Sequence, residues 1–393
     1  MKEEANSGRQ SISERTRGIK PFLVMDVLER ASVMENAGLD VIHLEVGEPD
    51  FPVPDCAKAA MIEALRTDDT GYTHSQGDIR LREAICRHYA DNYGVSVPPS
   101  RVLVASGTSP ALMLVFSALL QPGDEVILSD PHYACYPNFI RFAGGRPVLA
   151  PVYEKNGFRL SAADISPAIT PATRAIVINS PANPTGTVLS AACLREIAAL
   201  SPWIISDEVY HGLVYEGRAH SILEFTDQAF VLNGFSKRYA MTGLRLGYVI
   251  MPEAFVRAVQ VLHQNFMISA PSPSQRAGIA ALEKADADVD RMRETYDRRR
   301  RYMTRRLREL GFGLTTEPTG AFYVFVNAAH IDPDSLRLAF DILEKAHVGV
   351  APGIDFGPNG QGYLRFSYAN SMENITKGLD RVERYLKERK PLG

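Results

Sequence analysis

The run "VLNGFSKRYAMTGLRLGY" places Lys237 where an apolar strand pattern ends, with Ser236 beside it and Arg245 eight residues on. A lysine at such a point can do chemistry only when it loses its proton. Burial or a neighbouring cation achieves this, leaving an amine that attacks an aldehyde or carries a proton. The same position also suits a surface turn, since lysines are seldom buried unless paired. Three other apolar runs close on reactive types. "RVLVA" leads into Ser106, Gly107 and Thr108 at the start of a helical pattern, where free N–H groups and a hydroxyl can face an anion. Taken alone, plain helix capping by serine or threonine is the more ordinary reading there. "RAIVIN" leads to Asn183 within "SPANPTG", a setting also typical of a turn asparagine. "WIIS" closes on Asp207 and Glu208, with Tyr210 just beyond.

Taken together these ends offer an anion cradle, an asparagine, an acid with a tyrosine, and a lysine with a serine and an arginine. A phosphate, a protonated ring nitrogen, a ring hydroxyl and an aldehyde would use them all, and pyridoxal 5′-phosphate carries those four groups. The apolar strand closing on Asp207-Glu208 also mimics the acidic strand of a P-loop ATPase. That reading needs a G-x-x-x-x-G-K-[ST] loop, which the chain lacks. No G-x-G-x-x-G, H-E-x-x-H or G-x-S-x-G motif occurs either.

The elements that must position these residues follow from hydrophobic periodicity. From about residue 101, short apolar runs alternate with helical patterns, as in "RVLVASG", "SPALMLVFSALL", "DEVILSD", "YACYPNFIRFAG", "RAIVINS", "SAACLREIAAL", "WIISDE", "AFVLNGF" and "LRLGYVIM". Continuous apolar strands spaced by helices predict a mostly parallel sheet covered on both faces, an α/β architecture. In such sheets ligands sit outside the carboxyl ends of the strands, where the reactive types gather. After Pro252 long helical stretches lead to "GAFYVFV", "DSLRLAFDILEKA", "VGVAPG", "GYLRFSYA" and a last helix, which predict a separate α+β unit. The helix over "VMDVLERASVMENAG" is expected to pack on that unit. The division expected is 1–49 as an arm and part of the small domain, 50–281 as the large domain and 282–393 as the small domain.

The 393 residues suffice for two domains, and the composition is that of an ordinary globular protein. A net charge of −3 gives no reason to expect nucleic acid or an anionic membrane as partner. The basic cluster "RRRRYMTRR", with acids close by, reads as the solvated face of a long helix. Cys56, Cys86, Cys135 and Cys193 lie far apart without a C-x-x-C pair, so neither a metal site nor a disulfide framework is expected. A polar N-terminus without a signal-peptide core and no membrane-length apolar run lead to the expectation of a cytoplasmic protein.

The chain resembles the class I/II aminotransferases of the fold-type I pyridoxal-phosphate enzymes from about Gly18 to Leu386. The resemblance rests on "LEVGEPDFPVP", "YTHSQGDIRLREAI", "ASGTSPAL", "SPANPTGTV", "SDEVYHGLVY", "NGFSKRYAMTGLRLGY" and "GYLRFSYA" in order. It implies a seven-stranded-type sheet in the large domain and a homodimer with shared active sites. Lys237 would form the internal Schiff base and Asp207 would pair with the pyridinium nitrogen, while Asn183 and Tyr210 bind the ring hydroxyl. Ser106, Gly107, Thr108, Ser236 and Arg245 would hold the phosphate, Tyr133 would stack on the ring, and Tyr72 would reach the phosphate in the neighbouring subunit. Arg365 would clamp the substrate carboxylate, with Gly47 and Asn183 also lining the substrate side. The implied activity moves the amino group of an L-amino acid to a 2-oxo acid such as 2-oxoglutarate. A carbon–sulfur β-lyase on the same fold is the main alternative, and a non-enzymatic regulator built on the domain is another.

Two departures bear on the substrate. Gly234 stands where some relatives supply a serine to the phosphate. Ser109 stands where some aspartate-acting relatives carry a lysine, and residues 263–275 offer no arginine for a second carboxylate. Phe22, Tyr72 and Phe356 are expected to make the side-chain pocket more apolar.

Overall fold

A computed structural model describes residues 12–389. Alternating apolar runs fold as strands because their Val, Ile and Leu side chains pack on both faces of a pleated surface. Seven of them form the main sheet: β2 (Val102–Ala105), β3 (Glu125–Asp130), β4 (Arg146–Pro151), β5 (Thr173–Asn179), β6 (Trp203–Asp207), β7 (Ala229–Gly234) and β8 (Gly247–Ile250). Their spatial order is β2-β8-β7-β6-β5-β3-β4, and only β8 runs antiparallel to its neighbours. All four residues of β2, all six of β7 and all four of β8 are buried, as a sheet covered on both faces requires. One apolar cluster, including Ile127, Ile176, Ile204 and Val231, fills one face; a second, including Leu103, Val126, Val177 and Leu232, fills the other.

Strand β4, "RPVLAP", is not among the strands expected from the sequence, and it carries two prolines. It pairs only with β3, and at a sheet edge prolines remove no needed ladder bond. "LRLGYVIM" is half strand and half turn: Arg245 adopts the left-handed conformation (φ 50°), so pairing begins only at Gly247.

A second core lies beyond the sheet. Strand β9 (Tyr323–Asn327) pairs with β12 (Tyr363–Ser367), which pairs with β11 (Ala351–Pro352); β1 (Ile42–His43) runs parallel to β10 (Val348–Gly349). "VGVAPG" is therefore divided between two sheets. The helix Asp286–Glu309 joins the cores, with Val289 in the first and Met292, Tyr296, Met303 and Leu307 in the second. Its basic run is not wholly a solvated face. Arg299 and Arg300 are buried, the latter held by Asp297, Glu216 and the Pro318 carbonyl. The N-terminal helix Leu23–Asn36 packs Val27, Ala31 and Met34 against Val41 and Leu343 of the second core's outer layer. No helix among the described residues is long and apolar enough to cross a membrane.

Candidate active site

The carboxyl ends of β2, β5, β6 and β7 open onto one cavity of about 360 Å³. Its walls include Gly47, Thr108, Tyr133, Asn183, Asp207, Tyr210, Ser236, Lys237, Arg245 and Arg365. Lys237 follows β7, and its Nζ donates to the Gly47 carbonyl at 2.6 Å. Burial lowers the pKa of the ammonium to about 8; nearby Glu48 opposes this, while the cations Arg365 and Arg245 reinforce it. A lysine so placed has a larger neutral fraction near neutral pH than an exposed one.

Asp207 ends β6 and is buried. Its carboxylate accepts from the Tyr136 hydroxyl at 2.6 Å and from the Val209 amide at 3.2 Å. Burial pushes its pKa up, against the pull of those two donors and of Lys237. Asn183 is fixed from both sides: its amide donates to Asn179 Oδ1 at 2.8 Å, and its own Oδ1 accepts from Arg365 Nη1 at 2.9 Å. The Tyr210 hydroxyl lies 2.8 Å from that of Tyr323. Burial raises the Tyr210 pKa well above its ordinary value, so the phenol stays protonated.

Gly107 ends the β2 turn at φ 104°, and the helix Thr108–Leu119 starts immediately after it. A Cβ on Gly107 would sit 2.6 Å from Arg245 Nη2, so only glycine lets the guanidinium close on this helix start. Arg245 is anchored by Nη1 donating to the Thr242 carbonyl at 2.9 Å. Helix N–H groups, the Thr108 and Ser236 hydroxyls and one arginine make a donor set suited to a phosphate.

The opposite wall comes from the second core and the N-terminal segment. Arg365 on β12 is only 2% exposed, lies between the rings of Tyr323 and Phe356 (4.3 and 4.9 Å), and donates through Nη2 to the Glu45 carbonyl. Its Nε has no partner among the described residues, leaving one buried cationic donor to be satisfied. Phe22, Val24, Met25 and Leu28 form an apolar wall on the helix Leu23–Asn36. Asp355 seats the first turn of that helix, accepting from the Leu23 and Val24 amides at 3.0 and 3.1 Å.

Four predicted positions lie outside this lining. Ser106 and Gly107 precede Thr108, Gly107 lying against Arg245, and Tyr72 is 83% exposed on the surface of the single chain. Phe356 acts on the pocket through Arg365 and does not itself line it. Sequence reasoning missed Tyr136, Asn179 and Tyr323, which hold Asp207, Asn183 and Tyr210. Tyr136 and Tyr323 read as core aromatics because their hydroxyl partners are distant in the chain.

A family profile described as "Aminotransferase class I and II" matches residues 39–382. The chain belongs to the class I and II aminotransferase family. The (5-formylfuran-3-yl)methyl phosphate transaminase of Methanocaldococcus jannaschii is 40% identical, covering 95% of this chain and 99% of the relative. The probable aspartate/prephenate aminotransferase of Aquifex aeolicus is 37% identical, with 97% and 100% covered. Among solved structures, aspartate aminotransferase from Thermus thermophilus with maleate superposes with a TM-score of 0.92 at 37% identity, covering 96% of this chain and 100% of that one. This aminotransferase shares its central sheet with such structures, and class I/II enzymes depend on pyridoxal phosphate.

Proposed function

We propose that this aminotransferase binds pyridoxal 5′-phosphate in the cavity between the two cores. It would take the amino group of an uncharged L-amino acid and pass it to a 2-oxo acid, with 2-oxoglutarate as one acceptor. The observation that carries this reading is that Lys237 and Arg365 reach one cavity from opposite walls, with Asp207 and the Gly107–Arg245 cradle beside them. The donor set fits the cofactor group by group. Lys237 would hold it covalently, Asp207 would face the ring nitrogen, Asn183 and Tyr210 the ring hydroxyl, and Tyr133 the ring face. Thr108, Ser236, Arg245 and the amides behind Ser106 and Gly107 would hold the phosphate.

When bound, the cofactor supplies an electron sink for the substrate's Cα. The protein does the rest. A carboxylate on Arg365 Nε and Nη would fix Cα in place, because the guanidinium fork matches that group in two bonds. Freed Lys237 Nζ would take the Cα proton and return it one position away, as a general base and then a general acid. Asp207 would keep a proton on the ring nitrogen by charge, held in aim by Tyr136 and the Val209 amide. The second core and the helix Leu23–Asn36 would shield the exchange from water.

Among the described residues, the only cations lining the cavity are Lys237, Arg245 and Arg365, each already assigned, while Glu48 adds a negative charge. A second substrate carboxylate would meet the apolar wall, where an unpaired charge costs several kcal/mol. We propose further that the enzyme is a homodimer in which the exposed Tyr72 reaches the phosphate of the second copy, and that the domains divide near residues 49 and 281. The test is a donor screen with saturating 2-oxoglutarate. At least one of alanine, methionine or an aromatic amino acid should match or exceed aspartate in kcat/KM. A clear preference for aspartate over all of them contradicts the uncharged-donor reading.

A further inference from the structure

Residues 42–47 leave β1 and run between the two halves of the site. Alternate carbonyls along this stretch face the two cations that matter most: Glu45 accepts from Arg365 Nη2, and Gly47 accepts from Lys237 Nζ at 2.6 Å. A main-chain stretch can aim two side chains only if it is itself held. The neighbouring strands do part of this, with the Leu44 amide donating to the Gly349 carbonyl at 3.0 Å and the Ser367 amide to the Leu44 carbonyl at 2.7 Å.

The side chains then add something that packing alone would not require. The Glu45 carboxylate is fully buried. Its Oε1 lies 2.6 Å from His43 Nδ1, and its Oε2 has no partner among the described residues. Room for it exists because residue 349 is glycine, where a Cβ would lie 2.1 Å from Oε2. His43 reaches on through Nε2 to Glu35 Oε1 at 3.1 Å, near the end of the helix that carries the apolar wall. A buried carboxylate is costly unless paired, and removing its single partner strands the charge.

We propose that Glu45 and His43 are positioning residues, a buried carboxylate paired with a part-exposed imidazole, that pin the 42–47 stretch so that its carbonyls hold Arg365 and Lys237 in register with the helix Leu23–Asn36. The inference rests on the reading of Arg365 as the carboxylate clamp. It adds that the clamp is aimed from a side chain that never touches substrate. Glu45→Gln keeps the shape and removes the charge.

The experiment measures both half-reactions in Glu45→Gln, His43→Gln and the double variant, each checked for folding by circular dichroism, with Arg365→Lys as control. KM for the amino donor and for 2-oxoglutarate should both rise about five- to tenfold in Glu45→Gln, the size of a charge-assisted hydrogen bond weakened to a neutral one, with kcat falling less. Because the two residues act as a unit, the double variant should be no worse than the worse single one. A folded Glu45→Gln enzyme whose KM values stay within about twofold of the parent overturns the proposal, even if its Tm drops. Multiplicative losses in the double variant overturn the pairing. If Glu45→Gln does not fold, the part-exposed His43→Gln gives the same KM test. Arg365→Lys separates the two readings: unchanged KM there defeats the clamp itself, whereas raised KM there with unchanged KM in Glu45→Gln defeats only this inference.

Discussion

The two walls of the cavity are built by different means. On the sheet side, Thr108, Asn183, Asp207, Ser236 and Lys237 stand just past the ends of β2, β5, β6 and β7, and each presents its own side chain. On the facing side, the 42–47 stretch presents main-chain carbonyls, Asp355 presents a carboxylate to a helix start, and Phe22, Val24 and Met25 present apolar surface. The sheet side is chemically explicit, which suits a cofactor that is always the same. The facing side works by shape and by main-chain hydrogen bonds, which suits a substrate whose side chain varies between relatives.

That contrast implies that a conservative change on the sheet side should cost turnover outright. Asp207→Asn keeps the shape and still accepts from Tyr136 but loses the charge. Its kcat should fall by roughly 10²–10³, the typical cost of removing one aimed electrostatic group. Steady-state kinetics on the reconstituted variant check this, and near-parental rates would make Asp207 an ordinary strand-end acid.

The facing side should instead show graded effects. Glu45 and, more weakly, Glu35 raise the pKa of His43 from 6.5 to about 9, with burial working against them. A raised folded-state value means the pair's stabilisation is complete below the unfolded pKa and disappears as pH rises through the folded one. The parent's Tm advantage over His43→Gln should therefore be greatest near pH 6 and close above about pH 9. Thermal unfolding at four or five pH values checks it; an advantage that grows with pH would show that His43 is neutral in the fold.

The same contrast explains what was legible in the sequence. A strand end is marked by the loss of apolar periodicity, so Lys237, Asp207 and Asn183 announced themselves by breaking a pattern. Main-chain carbonyls carry no such mark. Nothing in "HLEVG" says that the oxygens of Glu45 and Gly47 face Arg365 and Lys237. That follows only from the β1–β10 pairing, which joins segments some 300 residues apart. Tyr136 and Tyr323 were hidden for a related reason, since a tyrosine in an apolar run looks like core until its hydroxyl's partner is known. The alternation of strand and helix was readable through β3, β5, β6 and β7, and missed β4, whose two prolines fit a strand because it lies at the sheet edge.

Lys237 is the residue proposed to hold the cofactor, and its chemistry can be read directly. Incubating the purified, cofactor-loaded enzyme with borohydride fixes the lysine linkage, and peptide mapping then locates it. The modification should fall on Lys237 and disappear in Lys237→Ala. A reduced adduct on any other lysine, or one that persists in that variant, contradicts the assignment of the whole cavity.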